Sequence, residues 1–174
     1  MYAQRYTNPS DVSSADEATI TSATATIDFA AYTLTHAGII AALIQRAQAG
    51  VLIRLYLDRT ELEAEARGDA TLSHCALGPL LTTANVQTKV KESSILMHLK
   101  SYLVDGKLLR DGSANFSPLG EAAQDNSMIL TDDSVTVALF ETKFAAMWNR
   151  PDNISVAQAV TSPQRMNTTA HRAH

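Results

Sequence analysis

A chain of 174 residues with 45% hydrophobic content holds enough apolar mass for one domain with a sizeable core. Aromatics are sparse at 6%, and Ala, Leu, Val and Ile carry the apolar content, which suits helices packed on a sheet better than an aromatic-rich β-sandwich. The net charge of −4 leaves no uniformly basic surface for nucleic acid, a single cysteine, Cys75, excludes an intrachain disulfide or a Cys-based zinc cluster, and no run of roughly 18 apolar residues encodes a membrane span.

Residues 1–14 are polar and lack the apolar region of a secretory leader, so the compartment stays open. Residues 16–25 read as a helix capped by Ser14, with Asp16 and Glu17 in the first turn where the helix dipole favours acids. Residues 26–33, rich in Ile, Phe, Tyr and Thr, read as a buried strand. Apolar residues recur at helical spacing over 36–49 (Ile39, Ile40, Leu43, Ile44, Ala47), and Gly50 stands where a helix-ending glycine belongs. Residues 51–57 form a second strand, so this order is a βαβ unit with parallel strands and a right-handed crossover.

Residues 60–83 are less regular: an acidic helical stretch followed by Gly68, Gly78 and Pro79. Residues 85–90 resemble a short strand. Residues 97–104 and 107–110 flank Asp105-Gly106, a strong hairpin signal. Residues 127–131 suggest another strand. Residues 134–148 suggest a last amphipathic helix with Val135, Leu139, Phe140, Phe144 and Met147 on one side. Beyond Pro151 the composition turns polar, and the chain is expected to be mobile from about Val160; the domain is taken as 1–160, with 161–174 a flexible tail. No internal repeat is visible.

The chemistry concentrates in residues 98–115. His98 and Lys100 are two apart in a strand-like segment, so alternation puts both on one face, with Leu99 and Leu103 on the other. Asp105 follows at the turn, and then Gly112, Ser113, Ala114 and Asn115. Gly112 permits close backbone approach, while Ser113 and Asn115 offer a hydroxyl and an amide on one side if extended. An imidazole, an ammonium and two neutral donors suit a phosphodiester: a nucleophile or proton carrier, and groups to stabilise a pentavalent transition state. Between residues 86 and 110, Lys89, Lys91, Lys100, Lys107 and Arg110 outnumber Glu92 and Asp105 by three charges, so this segment is basic within an acidic chain.

The series His98-x-Lys100, four residues, Asp105, six residues, Gly112-Ser113-x-Asn115 resembles the HxK(x)4D(x)6GSxN signature of the phospholipase D superfamily, with every specified position filled. Residues 27–35, the helix after them and residues 51–58 resemble the first core elements of the family's small nucleases, so the likeness runs from about residue 16 to 150. It implies a phospholipase D-like α/β fold, a mixed β-sheet flanked by helices on both faces. One motif in a short chain further implies a homodimer in which two copies of His98 and Lys100 face each other, as in single-motif endonucleases of the bacterial nonspecific type.

The implied activity is a metal-independent phosphodiesterase, a nonspecific endonuclease on DNA or RNA, with no cofactor and no metal. One neutral His98 attacks phosphorus, its protonated mate serves the leaving oxygen, and water then releases the phosphohistidine. The resemblance assigns His98, Lys100 and Asp105 to the catalytic motif, with Asp105 read as a turn and hydrogen-bonding residue rather than a proton carrier. Lys100, Ser113 and Asn115 would bind substrate phosphate. Relatives in the nuclease branch place a carboxylate 28 residues beyond the histidine to orient it. Asn126 stands there in this chain, with Asp125 and Glu121 as the nearby acids.

Rival readings are a lipid phosphodiesterase or phosphatidyl transferase, against which stand the single motif and the lack of a recognisable exposed apolar loop or anchor, a small phosphodiester or pyrophosphate hydrolase, and a dimeric binding module without catalysis. Cys75, His36 and His74 read as structural or surface residues, His171 and His174 as tail, and the methionines and Trp148 as core. Lys89 and Lys91 read as the rim of a substrate groove or a solvated strand face, and Tyr32 as core in preference to a base-stacking platform.

Overall fold

Alternation along two neighbouring strands decides the architecture. In the segment Thr26–Ala31 (β2), Ile27 and Phe29 face one side and Asp28 and Ala30 the other; in Leu52–Leu57 (β3), Ile53 and Leu55 share the first side with them, and Arg54 and Tyr56 the second. Both sides are apolar enough to demand cover, so the sheet has helices on both faces.

A computed structural model of the chain describes residues 2–7, 11–67, 71–93 and 95–161. Before β2 come strand β1 (Tyr2–Tyr6) and helix α1 (Ser13–Thr21); α2 (Ala37–Gln48) connects β2 to β3. Helices α3 (Arg59–Ala66) and α4 (Leu77–Thr82) follow, then β4 (Val86–Lys91), β5 (Lys100–Val104) and β6 (Leu108–Gly112). The chain continues with α5 (Pro118–Ala122), β7 (Ser127–Thr131), α6 (Ser134–Trp148), β8 (Asn153–Ile154) and α7 (Val156–Thr161). Among the described residues the strands make one eight-stranded sheet, ordered β1-β7-β6-β5-β2-β3-β4-β8. The centre β2-β3-β4 is parallel and the remaining pairings are antiparallel, giving the mixed sheet expected.

One face is covered by α2, through Ile39, Leu43 and Ala47, and by Leu62, Leu77 and Leu80 of α3 and α4. The other is covered by α6, whose Val137, Phe140, Phe144, Met147 and Trp148 pack on Ala30, Tyr56, Leu103 and Leu109. Burying each large side chain there contributes about 2 kcal/mol. The first expected helix starts three residues earlier than its acids suggest. Val12 occupies the cap position without a side-chain hydrogen bond, and Asp16 is buried in an ion pair instead of solvated at the dipole. Val160, where mobility was expected to begin, is buried within α7; residues 162–174, with His171 and His174, lie outside the described residues. Val135 and Leu139 belong to the exposed side of α6, not its packed side. His36 caps α2, its Nδ1 accepting from the Ile39 N–H at 3.4 Å, and Cys75 is buried in the core. No helix among the described residues is long and apolar enough to cross a membrane.

Candidate active site

Hairpin register gathers the motif. Asp105 and Gly106 both hold positive φ, 51° and 65°, so the chain reverses there. Tyr102 then pairs with Arg110 and Val104 with Leu108, so the start of β5 lies beside the end of β6. Lys100 also pairs with Ala31 at the end of β2. Lys100, Tyr32 and the Gly112–Asn115 turn therefore meet at the end of the sheet where the parallel strands finish, the position that open α/β sheets use for ligands.

Regular β5 begins at Lys100, and the Tyr32 N–H donates to the Leu99 carbonyl at 2.9 Å, so His98 lies just beyond the paired region. Its exposed imidazole rests on the Tyr32 ring, centroids 4.5 Å apart. Lys100 is buried, 5% exposed, with Nζ 4.8 Å from the centre of that same ring and donating to the His98 carbonyl at 2.9 Å. Burial lowers the Lys100 pKa, partly opposed by the negative charge of Glu61. Tyr32, expected in the core, is thus a half-buried platform joining the two residues.

The residue ahead of His98 is clamped. Asp58 caps α3 through Oδ1, which accepts from the Thr60 and Glu61 N–H groups at 2.9 and 3.2 Å. Its Oδ2 accepts from the Met97 N–H at 2.7 Å. Lys91 donates to the Ile95 and Leu96 carbonyls of the same approach, and Lys89 to the Trp148 carbonyl at 2.7 Å, so neither lysine is a simply solvated strand residue. Ile95 and Leu96 are 74% and 45% exposed. An exposed apolar pair therefore does precede His98, contrary to the expectation of none.

On the other side, Ser113 and Asn115 have different surroundings. The Ser113 hydroxyl donates to Asn126 Oδ1 at 3.0 Å and accepts from the Ser127 N–H at 3.0 Å, while Asn126 Nδ2 donates to the Gly120 carbonyl at 3.1 Å. Asn126 thus supports Ser113 in the isolated chain. Asn115 is half-buried, and its Oδ1 is buried with no hydrogen-bond partner, an acceptor without a donor in this arrangement. Asp125 is exposed and, with Ser113, Asn126 and Tyr6, lines an open depression of about 420 Å³.

Beneath the turn lies an ionic cluster. Arg110, fully buried, donates to the Lys100 and Ala114 carbonyls at 2.7 and 3.2 Å, fixing the two motif segments to each other. It also pairs with Asp16 at 3.0 Å and Glu121 at 3.3 Å, and its guanidinium stacks 4.4 Å from the Phe116 centroid. Burial, reinforced by Asp16, raises the Glu121 pKa far above the usual carboxylate range. Glu121 is therefore a buried member of this cluster.

Asp105 is at the other end of β5, five residues and about 16 Å from Lys100. Its carboxylate accepts from the N–H groups of Thr24, Ala25 and Thr26 and from the Thr24 hydroxyl, at 2.7 to 2.9 Å. Despite burial, which raises it, these bonds lower its pKa to about 2. In the folded chain this carboxylate anchors the β5–β6 turn to the backbone that leads into β2. Among the described residues no cluster of three or more His, Cys, Asp or Glu is arranged to hold a metal ion.

The sequence profile of a family described as cardiolipin synthase, PLD-like domain, matches residues 17–148. A mitochondrial cardiolipin hydrolase from Xenopus tropicalis is 29% identical over 106 residues, which cover 61% of this chain and 46% of that protein; one from Chlamydomonas reinhardtii is 23% identical over 128 residues, covering 74% and 53%. The chain spans about half the length of these relatives. Among solved structures, NucT from Helicobacter pylori superposes with a TM-score of 0.73 at 18% identity, covering 89% of this chain and 99% of that one. The phospholipase D family member Nuc from Salmonella typhimurium gives 0.70 at 18%, covering 88% and 97%. These likenesses carry the fold, and the profile match carries the family. The chain belongs to the phospholipase D superfamily, whose members include phosphodiester hydrolases.

Proposed function

We propose that the chain is half of a metal-independent phosphodiesterase completed by a second copy, and that its substrate is DNA or RNA. The observation that carries this is the exposed His98 imidazole held on Tyr32 above a buried ammonium, Lys100, with one such set per chain. Facing a second copy, one neutral His98 forms a bond to phosphorus. The bond to the leaving oxygen breaks, and the other imidazolium gives that oxygen its proton. Water, losing a proton to the second histidine, then attacks phosphorus, and the phosphorus–nitrogen bond breaks.

Lys100 supplies positive charge to the nonbridging oxygens in a water-poor setting, where it is worth most. At the phosphate edge Asn115 would donate through its amide nitrogen, and Ser113 would exchange its bond to Asn126 for one to phosphate. Likeness in fold to two nucleases along nearly their whole lengths supports the substrate class.

The test is cleavage of plasmid and single-stranded oligonucleotide in EDTA. Expected is full activity with EDTA and a loss of about a thousandfold or more in the His98→Ala protein. Cleavage abolished by EDTA, or unaffected by His98→Ala, contradicts the reading. A lipid phosphodiesterase is the second reading, favoured by exposed Ile95 and Leu96 beside His98 and by the names of the relatives. Release of choline from phosphatidylcholine, or hydrolysis of cardiolipin in vesicles, without oligonucleotide cleavage would establish it.

A further inference from the structure

Beside His98 runs an open cleft of about 290 Å³, floored by Leu99 and Met147 and bordered by Lys91, Lys143 and Arg150. It has no carboxylate in its lining, in a chain whose net charge is −4. Three cations and no acid is a local field opposite in sign to that of the whole molecule, and such a concavity concentrates anions. The cations come from distant places in the chain. Lys91 ends β4, Lys143 is an exposed residue of α6, and Arg150 follows that helix, donating to the Tyr56 hydroxyl at 3.4 Å.

Lys91 is spent partly on the Ile95 and Leu96 carbonyls, which holds the approach to His98 at the cleft's edge. Lys143 is therefore the cation best placed to meet a ligand. An apolar floor between cationic borders accepts a base or sugar while the borders take phosphates, and a repeating polyanion is the ligand with both.

We propose that this cleft is a subsite for the phosphate next to the scissile one in a polynucleotide, so that the enzyme selects chains over single phosphodiesters. The proposal rests on the phosphodiesterase reading of His98 and names what its neighbourhood selects. Lys143, with Arg150, holds the flanking phosphate; bases lie on Leu99 and Met147 without being read, so the preference is for length and not for sequence.

The experiment is fluorescence anisotropy of a labelled 12-nucleotide single strand on the His98→Ala protein in EDTA, over a salt series. Lys143→Glu is compared with Lys107→Glu, an equal charge change on the β5–β6 turn. Expected is an affinity loss of about tenfold or more for Lys143→Glu, with the slope of log K against log salt falling by about 0.7 to 1, and a change under about twofold for Lys107→Glu. Equal effects of the two substitutions, or none from Lys143→Glu, overturn the subsite. So does loss of binding to phosphatidylglycerol vesicles with oligonucleotide binding retained, which makes the cleft a lipid surface. Hydrolysis of bis(p-nitrophenyl) phosphate by the unmodified protein in EDTA reports the chemistry separately. Its absence would contradict the phosphodiesterase reading, while the anisotropy still decides the cleft.

Discussion

His98 and Lys100 are neighbours with opposite surroundings, and this divides their work. The imidazole is exposed and free to meet phosphorus in the proposed mechanism; the buried ammonium would supply charge for as long as it keeps its proton. Because burial lowers the Lys100 pKa and Glu61 opposes that, removing the carboxylate must lower it further. Glu61→Gln is therefore expected to move the alkaline limb of the kcat/KM profile to lower pH with the acid limb in place. A profile moving upward would contradict the assignment.

Asp105 holds the β5–β6 turn against the backbone that leads into β2. Its carboxylate is held near a pKa of about 2, so its stabilisation is complete above the ordinary value of 3.8 and is lost as pH falls towards 2. Asp105→Asn is expected to lower stability by about 2 kcal/mol at neutral pH, a deficit that shrinks on acidification, while kcat of the folded fraction stays within a few fold. Thermal melts from about pH 2 to 7, with activity below the transition, check both halves. Motif spacing made Asp105 legible as a fixed residue, and its Asp-Gly context made the turn legible. Asp58 was readable too, since Asp58-Arg59-Thr60-Glu61 has the pattern of a helix cap, but its bond to Met97 is a contact across 39 residues that no local pattern signals.

Elements show the same split. The core βαβ and α6 follow from periodicity because each is long enough to repeat its pattern against a face it buries. Strands β1 and β8 and helices α5 and α7 are short, and partners far along the chain order them. β1 forms on β7, and α5 fits against the Asn115 turn because residue 120 is glycine, where a Cβ would lie 2.3 Å from the Asn115 carbonyl oxygen. Gly112 is equally constrained: its φ is +149° and an added Cβ would sit 2.2 Å from the Ser127 carbonyl oxygen. Gly112→Ala is expected to push the Ser113–Asn115 turn off β7, lowering kcat by about a hundredfold, with global stability falling by only about 1 to 3 kcal/mol. Wild-type kcat in this variant would mean that the turn does not bind the reacting phosphate.

At the scale of the molecule, the Asp16–Arg110–Glu121 cluster ties the Lys100 and Ala114 segments together, and among the described residues one His98–Tyr32–Lys100 set lies at that end of the sheet. Arg110 buried against two acids had no signature in the sequence, since each partner comes from a different element and looks like a surface charge. Pairing of the chain is the claim on which the proposed mechanism turns, because a lone His98 can attack phosphorus but has no mate to serve the leaving oxygen. Subunit mixing tests it most directly. Wild-type and His98→Ala chains are co-refolded in varied ratios at fixed total concentration, and cleavage is measured in EDTA. If each site needs both histidines, activity falls as the square of the wild-type fraction, so an equal mixture keeps about a quarter of full activity. A linear decline, with half the activity retained at equal mixing, would contradict the paired site.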